Sequence, residues 1–219
     1  MCGSVKVSDY QAIKQLMIKR GMPVNFAREL ETGEKLFPYF KPLVAGYIND
    51  DGRADSAMMN WGWRRDWDEK RRLFNSRRVS KKGQPIWHSP VWGDAIRERR
   101  CVIPINAFYE WDQNQPKGKR DRYRIEVQEA AYTLGGIYEI SQDGEMFLSV
   151  CTTEPNEVMA KVHHRMPVII DKNESEAWLK SKNIQDIEEI MQAKSDNYIV
   201  MTKENPINQQ QIGQTKNLF

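Results

Sequence analysis

Residues 99–111 read RRCVIPINAFYEW. The apolar run from Arg100 to Ile103 halts at Pro104, and a second run, Phe108-Tyr109-Glu110-Trp111, begins four residues later. Two short strands around a proline fit this better than a helix, which proline would break. On the second strand Phe108 and Glu110 share one face, and Tyr109 and Trp111 the other. A carboxylate among so many aromatics is expected to be partly desolvated, which raises its pKa toward the range where it gives and takes protons near neutrality. Read alone, an edge-strand glutamate facing water fits the same letters.

The pattern continues on both sides. Ser8 to Arg20 reads as a helix with Ser8 as N-cap, and Leu43–Ile48 as a strand. Asp50-Asp51-Gly52 is a hairpin signal leading into Ala57–Trp63, and Ser89-Pro90 opens a helix to about Arg97. Downstream, Tyr123, Ile125 and Val127 alternate with polar residues. Tyr132–Tyr138 and Met146–Thr152 flank the Asp143-Gly144 turn, and Val168–Ile170 is a further strand. Asn173 with Glu176 predicts a capped helix through Leu179, Ile184–Met191 a second helix, and Tyr198–Thr202 a last strand. Many short strands with few helices define an α+β chain, and neither a βαβ alternation nor a glycine-rich phosphate loop is present.

At 219 residues, with 40% hydrophobic and 29% charged, the chain suits one globular domain. Its mean hydropathy is −0.72. No apolar run approaches the ~20 residues of a membrane span. With no secretory signal at the N-terminus, the expected location is cytoplasmic, of bacterial type and near the nucleoid or replication fork. Three widely spaced cysteines (Cys2, Cys101, Cys151) do not form a disulfide framework. The net charge of +3 is small, but Arg64, Arg65, Lys70, Arg71, Arg72, Arg77, Arg78, Lys81 and Lys82 are interleaved with Trp61, Trp63, Trp67 and Phe74. Such a stretch suits single-stranded nucleic acid, phosphates on the cations and bases on the rings; a solvated, charge-rich loop is its plainer reading.

Three other places carry chemistry. Cys2 follows Met1 directly, and removal of Met1 would expose a thiol and an α-amine on one residue. Both titrate near ~8, and together they close a thiazolidine ring on an aldehyde. Without that removal Cys2 is a small thiol in a frayed end. His163-His164-Arg165-Met166-Pro167 holds two of the three histidines, at a spacing wrong for zinc but suited to acid–base work. Asn75 and Arg77 offer a carbonyl holder and a phosphate fork two positions apart.

In order along the chain, Met1-Cys2-Gly3, Trp61-Gly62 with Trp67, Asn75-x-Arg77, Arg99–Trp111 and His163-x-Arg165-Met166-Pro167 resemble the SRAP family, the SOS-response-associated peptidases or abasic-site processing proteins. The resemblance runs from Met1 to about Leu179. It implies a single domain over residues 1–203, a mixed, curved, barrel-like β-sheet with peripheral helices, and a polar tail over 204–219. It implies an abasic-site sensor on single-stranded DNA, active in the DNA-damage or SOS response, which forms a covalent thiazolidine crosslink through Cys2 after Met1 is removed. That lyase-like act would follow a peptidase-like self-processing step.

Carried over by motif, Cys2 would be the nucleophile and Asn75 would hold the terminus and the opened sugar. Glu110 would assist ring opening, and His163 would shuttle protons. Arg77, Trp61, Trp67, Pro42, Arg78 and Arg165 would contact DNA. No cofactor or metal is implied. The partner would be single-stranded DNA containing abasic sites, including single-strand/double-strand junctions, met by a monomer with no membrane. Ser4, Val79 and His164 stand where the family has arginine, an acid and aspartate. The alternatives are an N-terminal-nucleophile cysteine peptidase or amidohydrolase, and a non-catalytic single-stranded nucleic-acid-binding module.

Overall fold

Pro104 does not end the strand it interrupts. In the computed structural model, which describes residues 3–24, 33–38, 42–65 and 68–204, the strand runs Arg100–Ile105 with Pro104 opposite Thr133. Its other neighbour pairs only with Cys101 and Val102. At Pro104 one flank is therefore free of a ladder, and the missing N–H is tolerated there.

In chain order the strands are β1 (Ser4–Val7), β2 (Gly33–Leu36), β3 (Leu43–Ile48), β4 (Ala54–Trp61), β5 (Trp63–Arg65), β6 (Asp68–Leu73), β7 (Asn75–Arg77), β8 (Arg100–Ile105), β9 (Ala107–Trp111), β10 (Arg122–Val127), β11 (Tyr132–Ile140), β12 (Met146–Thr153), β13 (Met166–Pro167), β14 (Ile169–Ile170) and β15 (Ile199–Glu204). The helices are α1 (Tyr10–Lys19), α2 (Gly93–Glu98), α3 (Glu157–Ala160), α4 (Ser175–Lys180) and α5 (Ile184–Ile190).

The ladder β12–β4–β3–β8–β11 returns to β12 through the β11–β12 pairing, which closes a ring of strands. The β12–β4 step is parallel and the others antiparallel, so the barrel-like sheet is mixed. A second sheet, ordered β15-β10-β9-β1-β2, packs beside it. Alternation along β8 sends Cys101, Ile103 and Ile105 to one core with Trp61, Phe108 and Leu134. Val102 joins Trp63, Ile96, Cys151 and Trp178 on the helix-covered side. Buried Arg100 joins α2 to α4 by donating to the carbonyls of Ile96 and Ser181. The expected α+β domain with peripheral helices is the fold found.

Several boundaries differ from the sequence reading. The first helix is capped by Asp9, whose carboxylate accepts from Ala12 N–H at 2.9 Å, not by Ser8. Ser89 Oγ accepts from the N–H groups of Val91 and Trp92, which caps a tight turn; α2 begins only at Gly93. The capping box before α4 is Asp171 with Glu174 rather than Asn173 with Glu176. Glu204, placed in the tail by the sequence, closes β15 and pairs with Arg122. The rest of that tail, 205–219, lies outside the described residues. No helix of the described residues is long and apolar enough to cross a membrane.

Candidate active site

β9 lies between β1 and β10, with Ser4 opposite Tyr109 and Tyr123 opposite Glu110. Glu110 is therefore on an inner strand, not an edge, and is only 3% exposed. Cys2 lies outside the described residues. The first described strand nevertheless lies along the one that carries Glu110.

Past Trp111 the chain is tied to the histidine segment. Gln113 N–H donates to Val162 O and Asn114 Nδ2 to Lys161 O, both at 2.8 Å. Helix α3, capped by Asn156, ends one turn earlier, and His163 N–H donates back to Met159 O at 2.8 Å. These bonds bring His163 Nε2 to 3.9 Å from Glu110 Oε2.

Burial, the largest influence, raises the Glu110 carboxyl from 4.5 to about 7, against a smaller lowering pull from Arg165. Burial likewise pushes the His163 imidazole down to about 3. Although the spacing is that of an ion pair, below pH 7 the two form a neutral acid beside a neutral imidazole. His163 Nδ1 lies 3.0 Å from the backbone N–H of Arg165 and 2.9 Å from its carbonyl oxygen. Nδ1 can thus accept from the first or donate to the second. Either tautomer is satisfied, so Nε2 can present a lone pair to a protonated Glu110 or an N–H to an ionised one.

His164, the next residue, stacks on His163 with ring centres 4.5 Å apart, and its Nδ1 is 2.8 Å from Gln113 Oε1. Thr152 joins this side to β7. Its hydroxyl donates to Ser76 O at 2.7 Å and accepts from Arg165 Nη1 at 3.1 Å. Burial, then the neighbouring Arg77, lowers the Arg165 guanidinium to about 10, so it stays cationic at neutral pH. Its Nη1 is bonded, while its buried Nε takes no partner among the described residues. Asn75, Arg77 and Arg165 all line one cavity of about 460 Å³.

The other expected DNA contacts fall elsewhere. Trp61 is a core residue, 2% exposed, its Nε1 donating to Phe74 O at 3.0 Å. Gly62, at φ +139, lets the chain turn so that Trp63 is buried as well. In this structure burial keeps Trp61 away from any surface a base could reach. Arg78 is committed to Glu154 at 2.6 Å, which removes it as a free phosphate fork. Ser4, at the family's arginine position, is buried in β1. Pro42 is half-buried just ahead of β3, and Trp67 lies outside the described residues. The sequence reading missed Thr152 and Gln113, which carry no motif and show their parts only through tertiary bonds. No group of three or more His, Cys, Asp or Glu that could hold a metal occurs among the described residues.

A buried acid faces a neutral imidazole, and Arg165, two residues on from that imidazole, lines a cavity with Asn75 and Arg77. The chain belongs to the SOS response associated peptidase (SRAP) family, whose model matches residues 1–209. The abasic site processing protein YoaM of Bacillus subtilis is 30% identical over 147 residues, covering 64% of this chain and 63% of that protein. YoqW of the same organism, also named an abasic site processing protein, is 33% identical over 146 residues, 62% of each chain. This chain thus spans somewhat under two thirds of these curated relatives. A crystal structure of a protein from Bacteroides thetaiotaomicron matches with a TM-score of 0.74 at 21% identity, over 93% of this chain and 92% of that one, a likeness of fold.

Proposed function

We propose that this chain processes abasic sites in DNA by capturing them covalently on single strands through Cys2. Support comes from the relatives named as abasic site processing proteins. The observation that carries the reading is the buried Glu110–His163 pair, with Glu110 on the strand that pairs with Ser4–Lys6 of β1.

An abasic deoxyribose rests mainly as a closed hemiacetal. Glu110, poised near pH 7, takes the anomeric hydroxyl proton while the ring oxygen is protonated, and this exposes the C1′ aldehyde. With Met1 removed, the Cys2 amine adds to C1′, and loss of water leaves a Schiff base. His163 relays the proton that the departing hydroxyl needs. The Cys2 thiol then adds across the C=N bond, sulfur to C1′ and its proton to nitrogen, closing a thiazolidine with no further leaving group. Holding amine, thiol and aldehyde together makes closure effectively intramolecular. Asn75 holds the opened sugar, and Arg77 and Arg165 take flanking phosphates.

The test incubates the protein with single-stranded DNA carrying one abasic site and looks for a heat-stable adduct on a denaturing gel. The expected result is an adduct with wild type and none with Cys2→Ala. An undiminished adduct with Cys2→Ala overturns the reading. Intact mass of the purified chain reports whether Met1 has been removed.

A further inference from the structure

The cavity that Asn75, Arg77 and Arg165 share has more to it than cations. Leu73, Ile86 and Trp92 give it apolar walls, and Trp92 is held edge-on against Trp63 at 5.0 Å between ring centres. Arg77, Lys81, Lys82 and Arg165 supply its positive charge, and no Asp or Glu is among its lining residues in the described part of the chain. Lys81 sits on a tight hairpin turn fixed by Ser80 N–H to Gln84 O at 2.8 Å and by Gly83, whose φ is +77. Buried Arg165 also lines it, and its Nη1 is held by Thr152 Oγ1 at 3.1 Å.

A phosphate alone would need the cations but not the apolar walls. An apolar peptide segment would need the walls but not cations without a carboxylate to balance them. A nucleotide uses both, its base between apolar surfaces and its phosphate on arginine. The volume of about 460 Å³ lies within the range of pockets that enclose a small ligand.

We propose that this cavity is a subsite for one intact nucleotide adjoining the abasic residue, its base inserted between Leu73, Ile86 and Trp92. The subsite rests on the reading that single-stranded DNA is the substrate. It makes recognition of the lesion a two-part act: a missing base at the reacting position and a present base at one neighbouring position.

The experiment measures binding by fluorescence anisotropy to single-stranded oligonucleotides carrying a tetrahydrofuran abasic analogue, which lacks the aldehyde and cannot crosslink. The nucleoside 5′ or 3′ to it is either thymidine or a second tetrahydrofuran. Removing the base on one side weakens binding about tenfold, the usual scale for a stacked base, and on the other side less than twofold. Leu73→Trp, which fills the cavity, abolishes the difference between the sides, and Lys81→Glu weakens all the oligonucleotides alike. Loss under twofold on both sides overturns the subsite, whether or not abasic DNA gives an adduct. A one-sided loss without an adduct leaves the subsite standing and overturns the covalent reading.

Discussion

His163 Nε2 and Glu110 Oε2 stand 3.9 Å apart inside the protein, and at mildly acidic pH neither carries a charge. The proton that matters near neutrality is therefore the one on Glu110, because His163 takes up a second proton only near pH 3.

This arrangement has a stability signature. The Glu110 carboxyl rises from 4.5 to about 7 on folding, so the native state holds a proton that the unfolded chain gives up. Stability from this group is fully present below pH 4.5 and is lost as pH rises to about 7, a fall of about 3 kcal/mol. Urea denaturation of wild type and Glu110→Gln at pH 4.5, 6 and 8 checks it. The variant gains on wild type as pH rises, and parallel pH profiles would contradict the assignment.

Arg77 and Arg78 are neighbours with opposite prospects. Arg78 is bound to Glu154, whereas Arg77 lines the cavity. Arg77→Ala is expected to reduce the slope of log K against log [salt] for single-stranded DNA by about 0.7, one phosphate's share. Arg78→Ala leaves that slope unchanged and costs a little stability instead. Equal slope changes for the two would be inconsistent with the structure.

Thr152→Val keeps the shape of the side chain but loses both hydroxyl bonds, to Ser76 O and from Arg165 Nη1. It leaves a buried guanidinium under-bonded, at a cost of about 2 kcal/mol in chemical denaturation. Thr152→Ser retains most of that stability.

Trp61→Phe removes the indole bond to Phe74 O and some core volume. The expected result is a loss of about 1–2 kcal/mol in stability, with affinity of the folded protein for single-stranded DNA unchanged. A selective loss of affinity would restore Trp61 as a contact.

Much of the fold was legible because its strands alternate sharply and are punctuated. Arg122–Val127 followed from its alternation, and Leu43–Ile48 from a short run ahead of a hairpin signal. Glu110 and His163 were legible as chemistry from their neighbours. The misses share a cause. Asn75–Arg77 is too short and polar to signal a strand, and it is held in one only by β12. Trp61 read as exposed because it neighbours arginines, yet a single positive-φ glycine turns the adjoining residues inward. Thr152 looked like an apolar strand's end, and its two bonds to distant residues leave no trace in local sequence.

β12 belongs at once to the closed ring of strands and, through the Thr152 hydroxyl, to the support of Arg165 and β7 at the candidate site. The Arg165 side of the site is thereby braced by the barrel, while its opposite wall, from Ser80 to Trp92, lies outside the ring of strands. On the proposed reading, a strand missing one base bends and splays most cheaply at the gap, so part of the discrimination resides in the mechanics of the DNA itself.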